Sequence, residues 1–212
     1  MHHRARSCLV AVAVAMATVG STSLTAQTPA PPAPAGPAWT AADVQFMRGM
    51  IAHHAQALVM AAMASSHGAN PQVLLFCKKI TISQRDEITM MQDWLKERGQ
   101  AVPVVAADGH DHDHGITGMD MSAHASMPGM LTEDQLEALA HARGERFDRL
   151  FLTGMIQHHE GALTMVAKLF DSPGAGQTSE IFGYATGVDA DQRAEIERMQ
   201  GMLSTLPGRS SK

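Results

Sequence analysis

The chain is short of several things at once. It has two cysteines in 212 residues. Once Cys8 is set aside with the N-terminal segment, Cys77 stands alone, so no internal disulfide staples the fold. Aromatic residues make up 4%, with one tyrosine and two tryptophans. Any core must therefore be built from Leu, Ile, Val, Ala and Met. Basic charge is also scarce: the net charge is −5. Without a basic surplus to meet phosphates, nucleic acid is excluded as a partner. No apolar run is long enough to span a bilayer. The sequence contains no nucleophile elbow, phosphate-binding loop or paired-carboxylate hydrolase motif, so no catalytic activity is read from it.

What is present is methionine (16 residues) and histidine (12 residues), in a chain that is 45% apolar and 17% charged. That balance belongs to a folded chain, not a disordered one. Both side chains pack well, and both bind soft or borderline metals.

Arg4 and Arg6 precede an apolar run from Cys8 to Val19, of signal-peptide length, and a cleavage point follows Ala26. Residues 1–26 are read as a signal peptide and 27–38 as a Pro/Ala-rich extended linker. The expected location is periplasmic or secreted, with no membrane contact after cleavage. The folded domain is expected over 39–206.

Thr40-Ala-Ala-Asp43 and Thr132-Glu-Asp-Gln135 are capping boxes that start helices. Helices are predicted from there to about Ser66, from Pro71 to Arg98, from Thr132 to Arg143, then to Phe170, and from Thr178 to Thr205. Residues 101–130 have no helical period and read as a loop.

The chain repeats itself. The 18 residues from Asp43 to Met60 recur from Asp148 to Met165 with ten identities, among them Gly49/Gly154, Met50/Met155, His53/His158, His54/His159 and Met60/Met165. The following helices match too: Gln84, Glu87, Met91 and Leu95 correspond to Gln192, Glu195, Met199 and Leu203. Each half (40–99 and 145–206) is therefore a helical hairpin. The expected fold is all-α, a four-helix bundle of two repeated hairpins with a long crossover loop.

On helical geometry Met50 lies three and four residues before His53 and His54, so both imidazoles reach one thioether neighbourhood. Met47 and Met60 flank that line. Met155, His158, His159 and Met165 repeat the arrangement, and Glu87 with Met91, and Glu195 with Met199, share faces on the partner helices. Methionine at helical spacing is ordinarily core packing. Two adjacent histidines on a buried face are harder to explain that way, because each costs desolvation and needs partners. The metal reading makes these Met and His side chains ligands. Thioether sulfur favours Cu(I), with Ag(I) as a mimic. Glu87 and Glu195 are then the groups that orient the histidines. A ferritin-like di-iron site needs Glu-x-x-His. Here Met50 and Met155 stand where that glutamate would be, which points to copper.

The loop is a second constellation. His110, His112, His114, Met119, Met121, His124, Met127 and Met130 make eight of the 21 residues from His110 to Met130. Spacing of this kind suits Cu(II) or Zn at the histidines and Cu(I) at the methionines.

Met50-Ile-x-His-His-x-x-Ala57-x-x-Met60 resembles the signature of the domain-of-unknown-function 305 family. So do Phe147-Asp-x-x-Phe-Leu-x-x-Met-Ile-x-His-His-x-x-Ala162 and Met127-Pro-Gly-Met130. The resemblance covers about Thr40 to Leu206. It implies a ferritin-like four-helical fold, export from a bacterial cell, and a Cu(I)-binding role linked to copper resistance, with the His pairs and nearby Met residues as ligands. Lys168 stands where the first repeat has Met63, so the halves are not equivalent.

The expected function is binding of copper, mainly Cu(I), for sequestration, resistance or handover to an efflux or delivery protein, by a monomer or homodimer. Two alternatives stay open: a ferritin-like metalloenzyme of the oxidase type, and a structural bundle whose loop alone scavenges metal.

Overall fold

A computed structural model describes residues 39–105, 116–117 and 127–206. The signal peptide and linker assigned to residues 1–38 lie outside the described residues. So do His110, His112, His114, Met119, Met121 and His124.

The protein is all-α in its main elements. Helix α1 spans Ala41–Ala62 and runs into a short 3-10 turn, Met63–Ser65; α2 spans Pro71–Glu97, α3 Glu133–His141, α4 Glu145–Asp171 and α5 Ser179–Thr205. Local chemistry sets each start. The Thr40 side chain accepts from Asp43 N at 3.2 Å while Asp43 Oδ2 accepts from Thr40 N at 2.7 Å. Thr132 and Gln135 make the same reciprocal pair at the head of α3. Asn70 caps α2 ahead of Pro71, whose missing N–H costs nothing at a helix start. Thr178 caps α5.

Helix α1 packs along α2, and α4 packs along α5. The two pairs meet through α1 and α4. A Cβ on Gly49 would meet the Met165 methyl at 3.3 Å, and one on Gly154 would meet the Met60 methyl at 3.3 Å. Position 49 thus lies beside 165, and 154 beside 60, so α1 and α4 run antiparallel and cross near His53 and His158. Two apolar clusters lie either side of that crossing. One holds Phe46, Met47, Met50, Met91, Trp94 and Leu95. The other holds Met60, Phe76, Phe147, Phe151, Met155 and Met199.

The halves clasp each other reciprocally. Buried Asp43, in α1, accepts from Gly176 N, between α4 and α5, at 2.7 Å. Its repeat partner Asp148, in α4, accepts from Asn70 N, before α2, at 3.1 and 3.2 Å. Each aspartate fixes the other hairpin's turn through bonds to a charged acceptor, stronger than neutral ones.

The 101–130 segment departs from a plain loop in two places. Val104–Val105 pairs antiparallel with Ile116–Thr117, a short ladder that β-branched residues favour. Met127, Gly129 and Met130 are half-buried against α4, with Pro128 exposed between them.

Candidate metal centre

The two histidine pairs sit at the α1/α4 crossing. His53, His54, His158 and His159 are all buried. The His53 and His158 rings lie against one another, with centroids 3.8 Å apart. Each ring's Nε2 is committed. His53 Nε2–H donates to the Pro128 carbonyl at 3.1 Å. His158 Nε2–H donates to the His53 carbonyl at 2.9 Å. His54 Nε2 pairs with Glu87 Oε2, and His159 Nε2 with Glu195 Oε2, both at 2.6 Å.

Carbonyl oxygens only accept, so for His53 and His158 the proton is on Nε2. Nδ1 is then the ring nitrogen left over. All four Nδ1 atoms are buried without a hydrogen-bond partner. Four buried nitrogens in that state, near one another on facing helices, are unusual for a satisfied core. A ring whose outer nitrogen is fixed by a carbonyl or carboxylate and whose inner nitrogen is free is oriented as metal-ligating histidines are.

Burial, then the neighbouring His54 charge, lowers His53 to about 3. Burial and the facing histidines also hold His158 well below its ordinary range. Burial alone would raise Glu87, but the bond and charge of His54, with a hydroxyl bond from Ser83 at 3.1 Å, outweigh it and leave the carboxyl lowered. A histidine lowered on folding takes up its proton first in the unfolded chain. Its stabilising contribution is therefore full above pH 6.5 and falls as pH drops from there toward 3. For His53 the metal-free protein loses about 1 kcal/mol between about pH 7 and 5.5, and His158 adds to the loss in the same direction. Urea melts across that range check this; a flat profile contradicts the burial of neutral rings.

The methionines surround this layer. Met47, Met50, Met60, Met91, Met155 and Met199 are fully buried, and Met165 is half-buried. They also pack as core residues. Among the described residues, no three His, Cys, Asp or Glu side chains converge in a way that would hold a metal ion. The side chains packed around the imidazoles are thioethers, and both are donor types for soft or borderline metals.

Met127 and Met130 connect the loop to this layer. Met127 Sδ and the Met165 methyl lie 3.7 and 3.3 Å from where a Cβ on Gly49 would be, one turn before His53. The strap Met127-Pro-Gly-Met130 is tied down on both sides. From α1, His53 holds Pro128, and the Gln56 carboxamide pairs with both backbone groups of Leu131, at 3.1 and 2.8 Å. From α4, Gln157 donates to the Met130 and Gly129 carbonyls. The strap runs directly over Gly161, where a Cβ would sit 2.0 Å from the Pro128 oxygen.

Four features of this layer escaped the sequence reading of the site. Gln56 and Gln157 tie the strap. Gln84 and Gln192 are buried with side-chain polar atoms unpartnered. Gly161 makes room for the strap. The Tyr184 hydroxyl donates to Met91 Sδ at 3.1 Å. The glutamine pair carried a signal, since it recurs in both halves one turn before Glu87 and Glu195. Cys77 is buried, and burial pushes its thiol up to about 12, so it is inert packing.

The described residues thus define a mainly helical protein with a doubled His–Glu arrangement inside a methionine-rich interior. The chain belongs to the family described as Domain of unknown function (DUF305), whose sequence profile matches residues 43–203. It is similar to a DUF305 fragment from Deinococcus radiodurans at 31% identity and a TM-score of 0.65, covering 79% of this chain and 99% of that one. It is also similar to CopM in its Cu(I)-bound form at 27% identity and a TM-score of 0.57, covering 80% of this chain and 99% of CopM. The Ag-bound form of CopM matches at 26% and 0.56, covering 78% and 98%. No curated protein matches the chain.

Proposed function

We propose that this is an exported copper-binding protein, built as a ferritin-like four-helix bundle, that takes up mainly Cu(I) for sequestration, resistance or handover to an efflux or delivery partner. One observation carries the reading: four buried imidazoles have Nε2 anchored and Nδ1 free, in a layer walled by buried thioethers. CopM, similar in fold and at 27% identity, is known in a Cu(I)-bound form, which supports copper as the ion. No helix among the described residues is long and apolar enough to cross a membrane. That is compatible with an exported chain whose first 26 residues are a leader.

His53, His54, His158 and His159 are the nitrogen donors in this reading, with Met50, Met91, Met155 and Met199 in the layers beside them and Met127 and Met165 at the strap. Glu87 and Glu195 orient the outer histidines.

The test is Cu(I) stoichiometry of the chain from residue 27 onward, against a variant with all four histidines changed to Ala. The bundle variant is expected to stay helical by circular dichroism and to bind less copper. Because buried His→Ala risks unfolding, the pair Glu87→Gln and Glu195→Gln is measured alongside. It keeps the packing and is expected to weaken Cu(I) by roughly tenfold or more, as loss of ligand-orienting groups does. Unchanged stoichiometry and affinity in both would remove the helices from the site and leave metal binding to the loop.

A further inference from the structure

The two halves are alike in sequence but not at their sulfurs. Extending the match between α2 and α5 pairs Val73 with Ile181, Phe76 with Tyr184, Cys77 with Ala185 and Ile80 with Val188. Met91 and Met199 are then equivalent. Tyr184 is the chain's single tyrosine. Its hydroxyl donates to Met91 Sδ at 3.1 Å, and its ring packs edge-on against Phe46 at 6.1 Å. Tyr184 packs against the cluster that holds Met50 and Met91, and Met91 lies one turn beyond Glu87 on α2, so Tyr184, Met91 and the His54–Glu87 pair share one neighbourhood. In the other half Phe76, buried in the same apolar cluster as Met199, stands where Tyr184 would. Phenylalanine has no hydroxyl to give.

A thioether coordinates a soft metal through a sulfur lone pair. A hydrogen bond to that sulfur engages a lone pair and lowers its donor strength. Breaking the bond to free the sulfur also leaves a tyrosine hydroxyl without its partner. The net value of such a bond is about 1 kcal/mol, or roughly fivefold in affinity.

We propose that Tyr184 makes the two halves unequal copper sites: by holding the Met91 sulfur in a hydrogen bond it reserves that half, so the Met199 half takes Cu(I) first. This rests on the Cu(I) reading above. It makes Tyr184 a residue that sets loading order and not itself a ligand. Its functional sense is graded uptake, in which the second half fills only when copper is abundant.

The experiment is an anaerobic Cu(I) titration of the chain from residue 27 onward, carrying methyl-labelled methionine and ring-labelled tyrosine, followed by NMR with free Cu(I) set by a calibrated chelator. The single tyrosine gives one ring signal to follow. In the native sequence the Met199 methyl is expected to shift at lower free Cu(I) than the Met91 methyl, and the Tyr184 ring is expected to move with Met91. Tyr184→Phe is expected to bring the Met91 transition roughly fivefold lower in free Cu(I), toward that of Met199. Phe76→Tyr is expected to delay Met199. Methyls that shift together in the native chain, with an order unmoved by Tyr184→Phe, overturn the proposal while leaving copper binding intact. If neither methyl shifts while copper is bound elsewhere or not at all, the helix-site reading falls, and this proposal with it.

Discussion

Changing Met50, Met91, Met155 and Met199 together to Leu is expected to weaken Cu(I) binding by on the order of 100-fold while leaving a folded helical protein. Leu and Met have similar volumes, and buried swaps between them usually cost less than about 1.5 kcal/mol each. All four side chains are fully buried, so their packing role is real and Leu preserves it. The swap removes only the sulfur. Loss of a direct soft ligand should cost at least as much as loss of an orienting group, which is 10- to 100-fold. Uptake of Zn(II), which the histidines accept without sulfur, should fall much less. Competition against a calibrated chelator reads both. Equal Cu(I) affinity in the Leu variant would make these methionines core residues and nothing more.

Gly161→Ala is expected to dislodge the Met127–Met130 strap, with a loss of about 3 kcal/mol in stability and a melting temperature lower by roughly 10 °C. The added Cβ would meet the Pro128 oxygen at 2.0 Å and the Gly129 Cα at 2.6 Å. Both are backbone atoms, which cannot swing aside as a side-chain tip would. Gly129 opposes the same helix from the other side, with φ +77° and its own would-be Cβ 2.5 Å from the Gln157 carbonyl. The strap must therefore lift, breaking the His53–Pro128 bond and both bonds of Gln56 to Leu131. It would carry Met127 away from Met165 and Gly49. Thermal unfolding checks the stability. Greater protease access near Pro128 checks the displacement. A variant as stable as the parent would show that the strap is a minor contact.

The helices were legible because their signals are local. Thr40 with Asp43, and Thr132 with Gln135, each satisfy orphan backbone groups within four residues, and Pro71 and Gly144 punctuate the chain where the helices begin. The His pairs were legible because the repeat shows them twice, and burying two adjacent imidazoles is too costly to be incidental. The strap was not legible. Met127-Pro-Gly-Met130 looks like exposed loop by composition. Its anchors are Gln56 on α1 and Gln157 and Gly161 on α4, positions where the two repeats differ: Gln56 faces Gly161 in the alignment, and Ala52 faces Gln157. Divergence there reads as drift until the chain is folded and one half must accommodate a segment that the other does not. The Tyr184–Met91 bond was hidden for a similar reason. It joins α2 to α5, residues 93 apart in the chain, and no periodicity within either helix encodes a contact between them.

If the buried His and Met side chains make a soft-metal site, the chain must prefer Cu(I) to harder ions. The most direct measurement is anaerobic metal uptake by the chain from residue 27 onward, against a calibrated competing chelator, with Cu(I), Zn(II) and Fe(II) run side by side. Tight uptake of Cu(I) is expected, with Zn(II) held far more weakly and Fe(II) stripped by the chelator. Retention of Fe(II) or Zn(II) with Cu(I) lost would contradict it and bring the ferritin-like metalloenzyme reading forward.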